Sequence, residues 1–339
     1  MKQSKAFSGV KTLVIPSLLL ALSACGGGDT EQPAPAPPPA PAPAPAPAPV
    51  VRVDGVVDHP GNYSADRLRQ LPAITQNVSF TSGSGQQSRS YIGASLWSVL
   101  SDAGITLDPA IKPDLLNRYV LATAADGYQV AYALAEISPD FANRQSLLAY
   151  SQVTNGATKD LDQADGPFRV TAPQDIRGGR YLSNVQSLEV RRSGSTTTNF
   201  GGGVANSFTV SGAVTQPVTY DLTALKSMPA TTVTVGANSY TGVNLWSLLN
   251  ATGIKTSTTA HNPTLAMIAV ATGSDGFKAV VSLGEINPSF GNTQAIVAYE
   301  MNGSDLGKNG VTRLIVPGEV KQGRSVSNLS QIEVIQTAP

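Results

Sequence analysis

The sequence predicts an α+β chain made of two tandem copies of one domain, each with a mostly antiparallel or mixed sheet and short helices. Three observations carry this expectation. The chain matches itself in order: Gly55, Pro60, Tyr63, Leu68 and Pro72 recur as Gly212, Pro217, Tyr220, Leu225 and Pro229. Further on, Tyr91, Gly93, Leu96-Trp97 and Gly104-Ile105 recur as Tyr240, Gly242, Leu245-Trp246 and Gly253-Ile254. Strand-like residues flank Asp-Gly and Asn-Gly turns, the strongest short hairpin signals. Helical spacing of apolar residues is confined to short windows.

The leader comes first. Residues 1–24 carry Lys2, Lys5 and Lys11 and an apolar run over 13–22, too short to span a bilayer, so a signal peptide is expected. Leu22-Ser23-Ala24-Cys25 resembles a bacterial lipobox, which implies a lipid on Cys25, cleavage before it and membrane anchoring. Gly26 after that cysteine implies sorting to the outer membrane. The alternative is an ordinary signal with an incidental cysteine. Residues 25–50 then form the lipidated cysteine and a stalk: 33–49 are almost pure Pro-Ala, a polyproline II spacer reaching roughly 50 Å.

Domain 1 is expected over 51–192, a flexible linker over 193–206 (SGSTTTNFGGGVAN) and domain 2 over 207–339. Windows 95–103 and 244–251 predict helices that stop at Gly104 and Ala251-Thr252-Gly253, and Trp97 and Trp246 are read as core. Asp126-Gly127 and Asp275-Gly276 predict hairpin turns. The unit around Arg169 and Pro173, then Gly179-Arg180, Asn184 and Glu189, recurs as Arg313, Pro317, Gly323-Arg324, Asn328 and Glu333. Changes in spacing give the first copy extra loop residues around 81–88 and 154–165.

Lys plus Arg and Asp plus Glu both total 23, and three of the lysines lie in the leader, so the remainder is slightly acidic. That excludes a basic nucleic-acid footprint. One cysteine excludes an internal disulfide. His59 and His261 stand at unmatched positions with no metal-ligand spacing, and no G-x-S-x-G elbow is present.

The second copy, with Ser274-Asp275-Gly276-Phe277, AYEMNGSDL over 298–306, Gly310, Arg313, Val316-Pro317-Gly318 and Gly323-Arg324, resembles the molybdopterin-binding domain of the sulfite oxidase superfamily. The first copy is similar through Asp126-Gly127-Tyr128, GPFRVTAP over 166–173 and GGRYLSN over 178–184. The resemblance implies a molybdenum cofactor held by one cysteine thiolate ahead of the Tyr-x-Gly-x-x-Leu-Trp unit. The corresponding stretches, 78–90 and 232–239, contain none, and Ser or Thr cannot replace a soft thiolate. The family's lysine after Gly-x-Arg is replaced by Ser183 and Ser327, and the leader lacks the twin arginines used to export folded holoenzymes.

No cofactor is therefore expected, molybdopterin entering only through the resemblance, and no catalytic or metal residue is assigned. Arg169, Arg180, Arg313 and Arg324 are the candidate ligand-binding residues because guanidinium suits bidentate anion contacts. The alternative is that each braces a turn. Asp126 and Asp275 are candidates too, with a turn role as the alternative, as are Glu136 and Glu285 for a cleft edge or a loop brace. The expected protein is a lipid-anchored envelope module binding a small anionic ligand or an envelope protein. The second reading is a molybdopterin-dependent oxidoreductase or its partner subunit, and the third a structural surface protein.

Overall fold

A computed structural model describes residues 47–198 and 200–337. The expected signal peptide, Cys25 and nearly all of the Pro-Ala stalk lie outside the described residues. The architecture is α+β, and Pro47 to Pro339 form one compact unit.

The first half runs β1 (Val50–Gly55), β2 (Gly61–Ser64), α1 (Ala65–Leu68), β3 (Ala73–Ser82), β4 (Gly85–Ser95), α2 (Leu96–Ala103), β5 (Arg118–Ala124), β6 (Gln129–Ala133), α3 (Leu134–Ile137), β7 (Leu147–Thr154), β8 (Ala157–Lys159), β9 (Arg169–Val170) and β10 (Val185–Arg192). The second runs β11 (Ser207–Gly212), β12 (Val218–Asp221), α4 (Leu222–Lys226), β13 (Ala230–Val235), β14 (Asn238–Asn244), α5 (Leu245–Thr252), β15 (Met267–Gly273), β16 (Lys278–Ser282), α6 (Leu283–Ile286), β17 (Ile296–Met301), β18 (Arg313–Ile315) and β19 (Leu329–Gln336). Apart from β8, the elements follow the same order.

Each half has two sheets. One is ordered β2-β1-β10-β5-β6, or β12-β11-β19-β15-β16, and contains one parallel pair, β1 with β10 or β11 with β19. The other is antiparallel: β3-β4-β7-β8 with β9 also on β7, or β13-β14-β17-β18. Local chemistry sets the helices. The Ser95 hydroxyl accepts from Ser98 N at 3.0 Å, and the Asn244 side chain from Ser247 N at 3.1 Å, capping α2 and α5. Gly104 and Gly253 end those helices at φ +74° and +81°, where a side chain would be strained. Among the described residues no helix is long and apolar enough to cross a membrane.

Three sequence expectations change. The extra residues at 81–88 and 154–165 are not only loop. They lengthen the β3–β4 hairpin, whose strands have 10 and 11 residues against 6 and 7 for β13–β14, and they add β8. Trp97 and Trp246 pack on the edges of the cores and stay half-buried, because helices this short turn only one flank inward. The stretch read as a flexible linker is fastened at several points. Glu333 accepts from the Ser195 hydroxyl at 2.7 Å, Thr196 N at 3.0 Å and the hydroxyls of Thr196 and Thr197. Phe200 N and Gly202 N donate to Ser274 O.

That clasp titrates. Burial pushes the Glu333 carboxyl up, but the hydrogen bonds from Ser195, Thr196 and Thr197 outweigh it and hold it below its ordinary 4.5. A depressed carboxyl contributes stability above the unfolded value, and the contribution is lost as pH falls through the folded one. Glu333→Gln is expected to weaken the clasp by about 2 kcal/mol. Limited proteolysis at neutral pH should then cut the variant within 193–206 while sparing wild type, and wild type should become sensitive below about pH 4.

Candidate functional site

The two halves meet through matching residues. Tyr119, Leu121, Ala131 and Ala133 of β5 and β6 pack on Ile268, Val270 and Val280 of β15 and β16. The backbone closes the junction reciprocally: Ile176 N donates to Phe290 O at 3.1 Å, and Val320 N donates to Phe141 O at 2.9 Å. Phe141 and Phe290 hold corresponding places in the two halves, as do Ile176 and Val320. Each Phe ring lies against a glycine of the other half, Phe290 on Gly179 and Phe141 on Gly323, with Leu265 and Leu116 beside them. A surface that contacts its own counterpart through a two-fold exchange is the geometry of a symmetric dimer, here within one chain.

Arg180 and Arg324 lie inside this junction and are almost wholly buried. Arg180 donates through Nε and Nη2 to the Asp175 carboxylate, at 2.8 and 2.7 Å, and through Nη1 to Glu136. Its stem runs past Gly284 on α6 of the other half. Arg324 forks onto Glu285 at 2.7 and 2.8 Å and reaches Glu319 through Nε at 2.5 Å. The aspartate or glutamate before each Gly-Arg and the glutamate on each short helix thus occupy equivalent positions.

Two asymmetries distinguish the pairs. Ser282 Oγ donates to Glu136 at 2.8 Å, whereas Ala133 stands at its counterpart. Arg144 crosses to the other half, donating to Thr293 Oγ1 at 2.5 Å and Gly291 O at 3.3 Å, and Thr293 is the residue that matches it. Burial, above all, pushes the Glu136 carboxyl up despite Arg180, and the nearby Glu285 charge adds to this. Glu285 is equally buried, but the fork from Arg324, with Arg144 and Arg180 behind it, holds it below the usual carboxylate range. Three guanidinium groups therefore face four carboxylates, and the surplus falls on Glu136, which favours its proton.

A cavity of about 490 Å³ opens on this junction, lined by Arg144, Gln174, Glu285, Thr293 and Gln294 among others. A second, of about 390 Å³, lies between Lys112 and Asn117 of one half and Asp275 and Lys278 of the other. Asp126 and Asp275 are exposed and accept from the backbone N of Tyr128 and Phe277, at 2.9 and 3.0 Å, the turn role foreseen as their alternative.

Arg169 is held apart from Arg180. It pairs with Asp165, bonds Ser183 Oγ at 2.8 Å, and lies 5.6–5.8 Å from the ring centres of Phe80, Tyr91 and Tyr181. Arg313, its counterpart, has no ion-pair partner among the described residues, and its Nε is buried without a hydrogen bond. The structure thus places the four arginines in separate settings, with Arg180 and Arg324 at the junction. Sequence reasoning missed Arg144, Asp165, Asp175 and Glu319. The last two were findable, because an acidic residue precedes each Gly-Arg by the same distance in both copies. His59 and His261 are exposed, and no group of three metal-ligating side chains occurs among the described residues.

No curated protein matches the chain. The crystal structure of the sulfane dehydrogenase SoxCD from Paracoccus pantotrophus is similar at 12% identity, with a TM-score of 0.35, covering 86% of this chain and 78% of that one. Residues 205–339, the second half, match the model of the oxidoreductase molybdopterin binding domain family.

Proposed function

We propose that the chain is a lipid-anchored bacterial envelope protein, tethered through Cys25, whose two molybdopterin-domain-like copies act together as a non-catalytic binding module for a small anionic ligand or an envelope partner. The observation that carries this reading is the use made of the arginines. Guanidinium groups that could receive an anionic cofactor, Arg180 and Arg324, are buried and saturated by Asp175, Glu136, Glu285 and Glu319. The junction cavity is lined by the buried Glu285 carboxylate, which repels a phosphate. The hairpins β3–β4 and β13–β14, at the stretches where the thiolate is expected, hold no cysteine. These donors do not fit a molybdenum–pterin group, so no step is derived through one.

The family match of residues 205–339 favours a second reading, a molybdopterin-dependent oxidoreductase or its partner subunit. Elemental analysis for molybdenum and tungsten, with fluorescence of oxidised pterin, on protein purified from its native envelope decides between them. Metal-free, pterin-free protein is expected. Near-stoichiometric metal or pterin would overturn the binding-module reading.

A further inference from the structure

The two halves treat one arginine differently. Arg169 and Arg313 open β9 and β18, opposite Ala149 and Ala298 at the same register point of their sheets. In the first half Asp165 supplies the counter-charge, and the Tyr91 hydroxyl donates to its other oxygen at 3.0 Å. The residue at that place in the second half is Asn309. The backbone confirms the equivalence: Asn184 N donates to Asp165 O at 2.9 Å, and Asn328 N to Asn309 O at 2.7 Å.

An asparagine carries no charge to offer. The Asn309 amide is turned instead to Leu306 O at 3.2 Å, and its oxygen accepts from Ser327 Oγ at 3.3 Å. Ser327 corresponds to Ser183, the hydroxyl that Arg169 uses. The aromatic cover is missing as well. Ser325 stands where Tyr181 does, and the shorter β13–β14 hairpin ends before any counterpart of Phe80. What remains is a half-buried guanidinium on the sheet face carrying Ala298 and Ile315, with a buried Nε donor left without a partner. A partly desolvated guanidinium lacking an internal anion favours one from outside, bound through charge-assisted and bidentate hydrogen bonds.

We propose that Arg313 is an oxyanion site, open in the second half and closed in the first by Asp165, and that it takes a small carboxylate-, sulfate- or phosphate-type group. This rests on the reading of the domains as binding modules. Its test is separate, because metal content says nothing about Arg313.

The experiment is a titration of the ¹⁵N-labelled protein with sodium sulfate, following the arginine Nε–H resonances, with sodium chloride at matched ionic strength as the control. A saturable shift is expected at Arg313, assigned through Arg313→Met, and none at Arg169. Asn309→Asp supplies the missing carboxylate and should weaken the sulfate response at least about tenfold, with other resonances unmoved. Asp165→Asn removes the first half's internal anion and should create a saturable response at Arg169. A linear shift that chloride reproduces would overturn the proposal. So would a response that survives Asn309→Asp, or, should that variant fold poorly, a silent Arg169 in Asp165→Asn.

Discussion

Replacing Arg324 with methionine is expected to destabilise the fold by about 3–5 kcal/mol, the cost of leaving buried carboxylates without their cation. Glu285 and Glu319 would both be stranded, since Arg324 is the partner of each. The contrast is the pair of Arg67 with Asp102, whose side chains are each more than a third exposed. Arg67→Met should cost no more than about 1 kcal/mol. Urea unfolding at pH 7 reads both values. The mechanism has a further signature: adding Glu285→Gln and Glu319→Gln to Arg324→Met should recover much of the loss, because the penalty belongs to the orphaned charges. The deficit should also shrink below about pH 4.5, where the stranded carboxylates take up protons. A loss that neither neutralisation nor acid relieves would mean that Arg324 acts through packing alone.

Wedging the junction is the second large effect. A side chain at Gly323 would overlap the Phe141 ring and come within 3.2 Å of Leu116 Cδ1, and one at Gly179 would overlap Phe290 and come within 3.0 Å of Leu265 Cδ1. None of these four neighbours is the free end of a flexible surface side chain. Gly323→Val and Gly179→Val are therefore each expected to cost about 3 kcal/mol through overpacking. Because the two contacts are related by exchange of the halves, their effects should be similar in size. Gly83, which has nothing within 4 Å of an added Cβ, is the control, and Gly83→Ala should stay within about 0.5 kcal/mol. Thermal melts of the three variants check this, and a neutral Gly323→Val would contradict the described packing.

Local features were legible in the sequence. The caps at Ser95 and Asn244, the stops at Gly104 and Gly253, and the hairpins at Asp126-Gly127 and Asp275-Gly276 depend on residues a few positions apart, and they appear where the spacing put them. The junction was not legible, because its bonds are long-range. Arg180 and Glu136 are 44 residues apart and Arg324 and Glu285 39, and a lone arginine does not announce whether its anion is internal. The repeated E-I-x-P-x-F-x-N unit was noted, yet pattern alone did not tell a cleft edge from an interface between halves. The linker misled for another reason. Ser, Thr and Gly disfavour regular structure, but their hydroxyls and amides are good donors, and Glu333 collects them. The family match lies on residues 205–339, where the family's motifs are fullest.

The account holds that reciprocal packing and buried charge join the halves into one cooperative body, consuming Arg180 and Arg324. Differential scanning calorimetry of residues 47–339 tests this most directly. One transition is predicted, with equal calorimetric and van't Hoff enthalpies. Two separate transitions, one for each half, would contradict it.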